Sequence, residues 1–285
     1  MKKSNIVLIG AIAAAFTVVI SFAFSERINN DRPHQHNWFS DANSFKSGAK
    51  IQGNGSEMTM IAKDLNIFDT ISIGGNFDVT IVAGKSALSL TLDKNLFPYI
   101  EHHIANGHLE VKFKKGYSIS PSKTPKLIIY TPVLSEINIG GANKITALNF
   151  NLTKLSINAG GSTTAEISGA IENLQINNGG SAKFKVTNNH AHQITLNVGG
   201  NSSLILKGKT ELFSVYSAGN TDVNAQNLMA NHVQLKLAGL GNMLVHADKS
   251  LDVSGIGINS IKYYGSPKSV TKRFFGKTIL TQIEK

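Results

Sequence analysis

Seven glycines recur at a nearly constant interval from residue 141 onward in this 285-residue chain, and this repeat limits the possible folds more than any other feature. Successive glycines are 20, 19, 20, 19, 20 and 16 residues apart, and a small residue precedes each of them. They are Gly141, Gly161, Gly180, Gly200, Gly219, Gly239 and Gly255. Paired small residues at a fixed period predict a tight corner in each unit, where the backbones of neighbouring units approach closely.

Apolar and polar residues alternate on both sides of each glycine. The alternation resumes four and six positions after it, as at Phe184 and Val186 after Gly180. The apolar residues four positions before the glycines are Ile137, Ile157, Ile176, Leu196, Val215, Leu235 and Leu251. Because a period of two is typical of a strand with one buried face, each unit predicts two short strands separated by a corner.

The length of the repeat selects among repeat architectures. About 20 residues are too few for a four-stranded propeller blade, and the units lack the helix of a leucine-rich repeat. Units stacked about 4.8 Å apart can bond through their backbones and join each apolar column into one core. We therefore expect an all-β fold, a right-handed β-helix or solenoid of about 20-residue turns with N- and C-terminal caps. The predicted N-terminal cap spans residues 67–130, with a type I′ hairpin at Asn106-Gly107, and the C-terminal cap begins at Ile261.

The N-terminal segment has the composition of an export signal. Lys2 and Lys3 precede an uncharged, apolar run from Ile6 to Phe24, which predicts one hydrophobic helix. The run is long enough for either a cleaved signal peptide or an uncleaved membrane anchor, and both interpretations stay open. Because the positive end remains inside, we expect Sec export to the periplasm, to the outer surface, or to an N-terminally anchored position at the inner membrane.

Composition divides the chain into four segments. Residues 1–25 are the signal peptide or N-terminal anchor, and residues 26–62 are a polar linker without strand or helix periodicity. Residues 63–270 form the predicted β-solenoid domain. A basic C-terminal tail, residues 271–285, follows it.

The sequence offers little catalytic chemistry. The chain has no cysteine, which excludes disulfides, thiol catalysis and Cys-ligated metal centres. A polysaccharide-cleaving enzyme of the β-helix class is the alternative that we keep open, but its site would need paired carboxylates. No two acids of neighbouring units share the same offset from their glycines. We therefore expect a non-enzymatic protein without cofactor or metal.

One polar column is the candidate binding face. Three residues before successive glycines stand Asn138, Asn158, Asn177 and Asn197, followed by Tyr216, Lys236 and Asp252. Alternation places this column on the outer surface. Stacked amides can hydrogen-bond from turn to turn and simply stabilise the fold. Alternatively, the flat polar face could bind a repeating polysaccharide, and the sequence leaves both roles open.

The formal net charge of +10 suits an anionic partner. Export makes nucleic acid an unexpected partner, so a glycan, lipopolysaccharide or an envelope protein is the hypothesis. The candidate basic end of the array comprises Lys262, Lys268, Lys272, Arg273 and Lys277. Because charges at an array end also prevent open strand edges from pairing, edge protection and binding are both possible roles.

Several motifs, in this order and spacing, resemble the bacterial family called putative auto-transporter adhesin, head GIN domain. They are Phe68-x-x-Ile71 through Gly75-x-Phe77-x-Val79, Asn106-Gly107-x-Leu109, Thr131-Pro132-x-Leu134, the glycine-corner repeats and Gly265-x-Pro267. The resemblance covers about residues 65–270. It implies an exported, β-helical, non-enzymatic domain that is often tethered to the envelope and for which adhesion is proposed. The family defines no catalytic residues to carry over.

Overall fold

The computed structural model describes residues 48–284, and almost all of them lie in β-strands. The predicted all-β class is confirmed. A 3-10 helix, Lys94–Tyr99, interrupts the strands. The strands are β1 (Ala49–Gln52), β2 (Glu57–Ala62), β3 (Thr70–Gly75), β4 (Asp78–Ala83), β5 (Ala87–Asp93), β6 (Ile100–Ala105), β7 (His108–Phe113), β8 (Tyr117–Ser120), β9 (Lys126–Thr131), β10 (Glu136–Ala159), β11 (Ser162–Asn178), β12 (Ser181–Tyr264) and β13 (Ser269–Gln282).

Eleven of these strands form one sheet. The strand order in this sheet is β13-β12-β11-β10-β4-β9-β5-β2. In addition, β3 pairs with both β10 and β7, and β6 pairs with β7. Strands β1 and β8 form a separate parallel pair. Within residues 48–284, no helix is long and apolar enough to cross a membrane. The predicted N-terminal signal or anchor, residues 1–25, lies outside the described residues.

The repeat of the sequence is also the register of the sheet. β10 pairs in parallel with β11 so that Asn158 faces Asn177, and β11 pairs with β12 so that Asn177 faces Asn197. Strand β12 is 84 residues long and would span about 280 Å if straight. It instead returns on itself, since a Cβ added at Gly219 or Gly239 would lie 2.5 Å from the carbonyl oxygen of the preceding corner glycine. Successive units of the chain therefore stack directly on one another.

The glycine corners have no room for a side chain, and most of them, although not Gly180, also have a positive φ. Gly200 has φ +102°, and a Cβ there would approach Gly180 O to 2.6 Å. The structure corrects the last corner of the sequence repeat, because Gly257, with φ +106°, stacks on Gly239. Gly255 is a buried strand residue without positive φ. Two glycines lie within three residues here, and the unit is one to two residues shorter than the others, so spacing alone could not choose between them.

One apolar cluster runs through the whole stack. The inward column four positions before each corner is fully buried from Ile137 to Leu235, and the corrected corner at Gly257 continues it with Val253 in place of Leu251. Leu251 lies two positions earlier on the same buried face, and Phe77 and Phe213 are also buried. Each unit alone could not bury these side chains, because its two strands have no second layer. The stability of the stack therefore depends on contacts between neighbouring units.

The N-terminal end of the stack changes from parallel to antiparallel pairing. β5 pairs with β9, β2 pairs with β5, and β6 pairs with β7, and all three pairs are antiparallel. The hairpin between β6 and β7 turns at Asn106 and Gly107, whose φ values of 51° and 74° give the predicted type I′ turn. This region corresponds to the segment that the sequence predicted as the N-terminal cap.

Two segment boundaries differ from the sequence predictions. The C-terminal part of the predicted linker, residues 26–62, contains β1 and β2, and most of the predicted tail, residues 271–285, is β13. Strand β13 continues the repeat because Gly276 stacks on Gly257 with a virtual Cβ contact of 2.6 Å. Its basic residues concealed this continuation. These strands are only four and six residues long and mostly solvent-exposed, so their brief alternation, as in Ala49–Gln52, does not stand out from the polar segment around them.

A buried carboxylate ties the β1-β2 connection to the rest of the fold. Asp93, at the end of β5 and 2% exposed, accepts hydrogen bonds from Gly55 N at 2.7 Å, Ser122 N at 2.8 Å and Ser122 Oγ at 2.6 Å. Burial opposes ionisation, but these donors outweigh it and hold the pKa of Asp93 below its ordinary value. The ionised carboxylate therefore stabilises this end of the protein.

The corner glycines allow a matched test of stacking. Gly200→Ala should lower stability by about 2–4 kcal/mol, because it combines a positive φ with a backbone collision. Gly199→Ala should change it by less than about 1 kcal/mol, since its virtual Cβ meets only ordinary contacts of 3.7 Å and beyond. Urea unfolding of the two variants beside wild type measures the difference. Equal effects at both positions would contradict close stacking at Gly200.

Asp93 should make stability depend on acidity. A carboxyl whose pKa is depressed in the folded state stabilises the protein above its unfolded value, 3.8, and loses this contribution as pH falls through the folded value. Asp93→Asn should therefore lower the unfolding midpoint at about pH 6, with the gap to wild type closing towards about pH 3. Exposed Asp222→Asn is the control for losing one carboxylate. A gap that is constant with pH would refute the ionic role of Asp93.

Candidate functional site

The four predicted asparagines form a continuous hydrogen-bonded ladder across neighbouring units. Asn197 Nδ2 donates to Asn177 Oδ1 at 2.7 Å, Asn177 Nδ2 to Asn158 Oδ1 at 2.7 Å, and Asn158 Nδ2 to Asn138 Oδ1 at 2.8 Å. All four side chains are half-buried. In-register pairing places identical residues one strand spacing apart, which is the geometry that an amide ladder requires.

The ladder leaves hydrogen-bonding capacity on its outer side. An asparagine amide has two N–H donors and two acceptor lone pairs. Within the column Asn158 and Asn177 each use one donor and one acceptor, whereas the end rungs Asn138 and Asn197 use one group each. Three rungs also bond to neighbours: Asn158 Nδ2 donates to Glu136 Oε1 at 3.0 Å, Asn177 Oδ1 accepts from Gln175 at 3.1 Å, and Asn138 Nδ2 donates to Ser72 at 3.3 Å. The column is thus a structural element whose remaining polar groups could bind a ligand.

Beside the asparagine ladder runs a strip of glycines, which alanines continue in the later units. The positions between each asparagine column and its corner are Gly140, Gly160, Gly179 and Gly199, and later Ala218 and Ala238. A Cβ placed on exposed Gly179 would have nothing within 4 Å. A flat ligand could therefore reach both the amides and the backbone beside them.

Beyond Asn197 the column changes character. Tyr216 donates its hydroxyl to Gln234 Oε1 at 2.9 Å, and Lys236 Nζ lies 5.2 Å from the centre of the Tyr216 ring. The sequence placed Asp252 next, but the corrected corner at Gly257 puts Ser254 in the column instead. Ser254 faces Arg273 of β13 in the register. The amide ladder is thus continued by a cation-bearing end.

At its other end the column reaches a serine-histidine pair that the sequence did not reveal. Ser72 Oγ lies 2.7 Å from His108 Nε2 and accepts from Asn138 Nδ2 at 3.3 Å. Burial lowers the pKa of His108, against the opposing effect of the Glu110, Glu136 and Asp69 carboxylates. Such a pair can activate a nucleophile, but the Ser72 side chain is fully buried and cannot meet a substrate. The two residues are 36 positions apart, and only the pairing of β3 with β7 joins them.

The five residues of the candidate basic end are all exposed and lie at the end of β12, in the following turn and on β13. Arg273 is within 3.8 Å of Asp252. Lys272 occupies an inward register position, opposite buried Val253, although its side chain remains in solvent. An inward-pointing charge of this kind is a common device for protecting a free strand edge.

Across residues 48–284, no group of three or more histidine and acidic side chains is placed to hold a metal ion. Isolated pairs occur, such as His246 Nε2 with Asp248 Oδ1 at 2.9 Å. Glu166 pairs with Lys185 of the neighbouring unit at 2.6 Å, whereas Glu136 and Glu211 accept hydrogen bonds from asparagines.

Comparison with known protein families gives one match over most of the described domain. The family model described as putative auto-transporter adhesin, head GIN domain, matches residues 67–267. No curated protein matches the sequence.

Solved structures share the fold of the described domain. A putative lipid binding protein from Parabacteroides distasonis ATCC 8503 is 23% identical, with a TM-score of 0.78 over 82% of this chain and 100% of that chain. A putative adhesin from Parabacteroides merdae ATCC 43184 is 19% identical, with a TM-score of 0.71 over 83% and 100%. A putative adhesin from Parabacteroides distasonis ATCC 8503 is 20% identical, with a TM-score of 0.72 over 82% and 100%. At these identities the likeness is one of fold.

The contribution of the ladder to the stability of the protein can be measured by removing one asparagine side chain. Asn177→Ala removes a donor to Asn158 and an acceptor for Asn197 and Gln175, so it should destabilise the protein by about 1–3 kcal/mol. Exposed Asn201→Ala should change stability by less than about 0.5 kcal/mol. Thermal unfolding of both variants tests this. If the two variants were equally stable, the amide bonds would contribute nothing measurable.

Proposed function

The chain belongs to the head GIN domain family of putative auto-transporter adhesins, and we propose that it is a non-enzymatic binding protein of the bacterial envelope. Its ligand would be a glycan or another polar envelope polymer, bound along the asparagine ladder. The observation that carries the proposal is the ladder itself, with spare donors and acceptors in successive units beside a strip of glycines. The names of the family and of its solved relatives, putative adhesins and a putative lipid binding protein, support a binding role.

The proposal includes the architecture that presents this face. Parallel pairing in register, with a glycine corner stacked on each preceding corner, is what a right-handed β-solenoid of about 20-residue turns requires. Such a solenoid repeats the same surface group at each strand spacing of about 4.8 Å. A polymer with regularly spaced hydroxyl groups can bond to several units at once, so many weak contacts add together.

Export places the ladder where such polymers occur. The basic, apolar N-terminus would carry the chain through the Sec route, and an uncleaved segment would tether it to the inner membrane. The periplasm and the cell surface both contain glycans and lipopolysaccharide. A carbohydrate-cleaving activity is the weaker alternative, because the acids near the ladder, such as Glu136, engage the amide column.

A steric variant can separate recognition from stability. Gly179→Leu should leave the fold intact, because its side chain enters open space, but it should block access to the ladder. We expect binding to glycan arrays and to lipopolysaccharide to fall at least about tenfold. Ser203→Leu, at an exposed position after the corner, is the matched control and should bind as wild type does.

Because one solved relative is named a putative lipid binding protein, binding to phospholipid vesicles should be measured beside binding to glycans. Wild type should bind glycan or lipopolysaccharide and not vesicles of neutral phospholipid. If a folded wild type bound no glycan, or if Gly179→Leu bound as tightly as wild type, the ladder would not be the recognition face.

A further inference from the structure

The C-terminal end of the stack presents a free strand edge. Among the described strands, β13 pairs only with β12, and it lies at the terminus of the eleven-stranded sheet. Fourteen residues, Ser269–Gln282, are therefore bordered on one side only. The opposite end of the sheet differs, because antiparallel strands cover its parallel units. An edge of this length is a template for another strand.

The backbone of β13 is oriented to accept such a strand. Lys268 N donates to Lys249 O at 3.0 Å, so Lys268 points its backbone groups at the preceding unit. Successive residues of a strand point to alternate sides. Lys268 immediately precedes β13, and by continuing this alternation into the first half of the strand we expect the N–H and C=O groups of Ser269, Thr271 and Arg273 to point away from β12, towards the free edge.

Apolar side chains border this edge as well. Ile279 and Val270 on β13 are 64% and 38% exposed, and Ile258 on the adjacent segment of β12 is 59% exposed. The partly buried Phe274 and Leu280 of β13 pack on the core from the outermost unit. Large apolar side chains held in solvent next to unpaired backbone are typical of an interaction surface.

Charge distinguishes among the possible occupants of the edge. Residues 262–284 contain five basic residues and one acid, Glu284. Two copies paired edge to edge would bring Lys272, Arg273 and Lys277 of one against the same residues of the other. Like charges on facing strands are destabilising, so the surface disfavours a second copy and suits an acidic partner.

We propose that β13 is a docking edge that receives an extended, acidic segment of another protein as an added strand. The backbone groups of the edge would supply the pairing, and Ile258 and Ile279 would contact apolar residues of the segment. Arg273 and Lys277 would bind its carboxylates. In this mode of recognition, main-chain hydrogen bonds provide the affinity, and contacts with alternate side chains of the added strand provide the specificity. It is independent of the asparagine ladder.

The test uses a short fluorescein-labelled peptide of alternating valine and glutamate, and a matched peptide with lysine in place of glutamate. Fluorescence anisotropy should show wild type binding the acidic peptide at least about tenfold more tightly than the basic one. Thr271→Pro removes an N–H that is expected to point outward and adds bulk to the edge, while the hydrogen bonds to β12 should remain. This variant should therefore bind the acidic peptide at least about tenfold more weakly than wild type does. Ser269→Pro is a second variant of the same kind, should Thr271→Pro fail to fold.

Charge variants complete the design. Arg273→Glu/Lys277→Glu should also abolish binding of the acidic peptide, whereas Lys207→Glu/Lys209→Glu, at exposed positions on another part of the surface, should not. Three outcomes would overturn the proposal. They are a wild type that does not bind the acidic peptide, binding that survives both proline variants, and self-association in sedimentation that the proline variants abolish. The last would identify a second copy as the occupant. Binding of lipopolysaccharide that needs the charges and ignores the proline variants would instead make this end a site for anionic polymers.

Discussion

The close contact between corner glycines is the constraint on which the rest of the structure depends. A carbonyl oxygen of one unit lies where a Cβ of the next would stand, as at Gly200 over Gly180. This contact fixes the register between units, and register decides which side chains become neighbours. Shifting one unit by a single residue would turn its apolar column to solvent and break the asparagine ladder. The corner thus determines both the core and the outer face.

How much the sequence could predict depends on whether a signal is local or long-range. The glycine period and the apolar alternation are local, so they indicated the all-β class, the positions of the strands and the neighbourhood of Asn158, Asn177 and Asn197. The strands β1 and β2 depend on distant partners, including the carboxylate of Asp93, and their own alternation covers too few residues to indicate a strand. The Ser72–His108 pair is invisible for the same reason, because it is created by pairing between β3 and β7.

The two ends of the stack solve the problem of the open edge differently. At the N-terminal end the chain reverses direction and covers parallel units with antiparallel strands. At the C-terminal end β13 is the last described strand, and there Lys272 takes an inward position beside Arg273. The first solution closes the surface, while the second leaves backbone groups accessible to a partner of opposite charge. The amide rungs and the edge therefore offer different chemistry, although the column of the ladder continues as far as Arg273 of β13.

In the proposed function, the amides of the ladder contact a ligand while they also hold the units together. NMR can follow the side-chain NH₂ resonances of Asn158, Asn177 and Asn197 during titration with a glycan selected on the array. These resonances should shift together and saturate at one ligand concentration, because one polymer spans neighbouring rungs. Saturation of binding without any change in these resonances would contradict the proposed function and place recognition elsewhere on the protein.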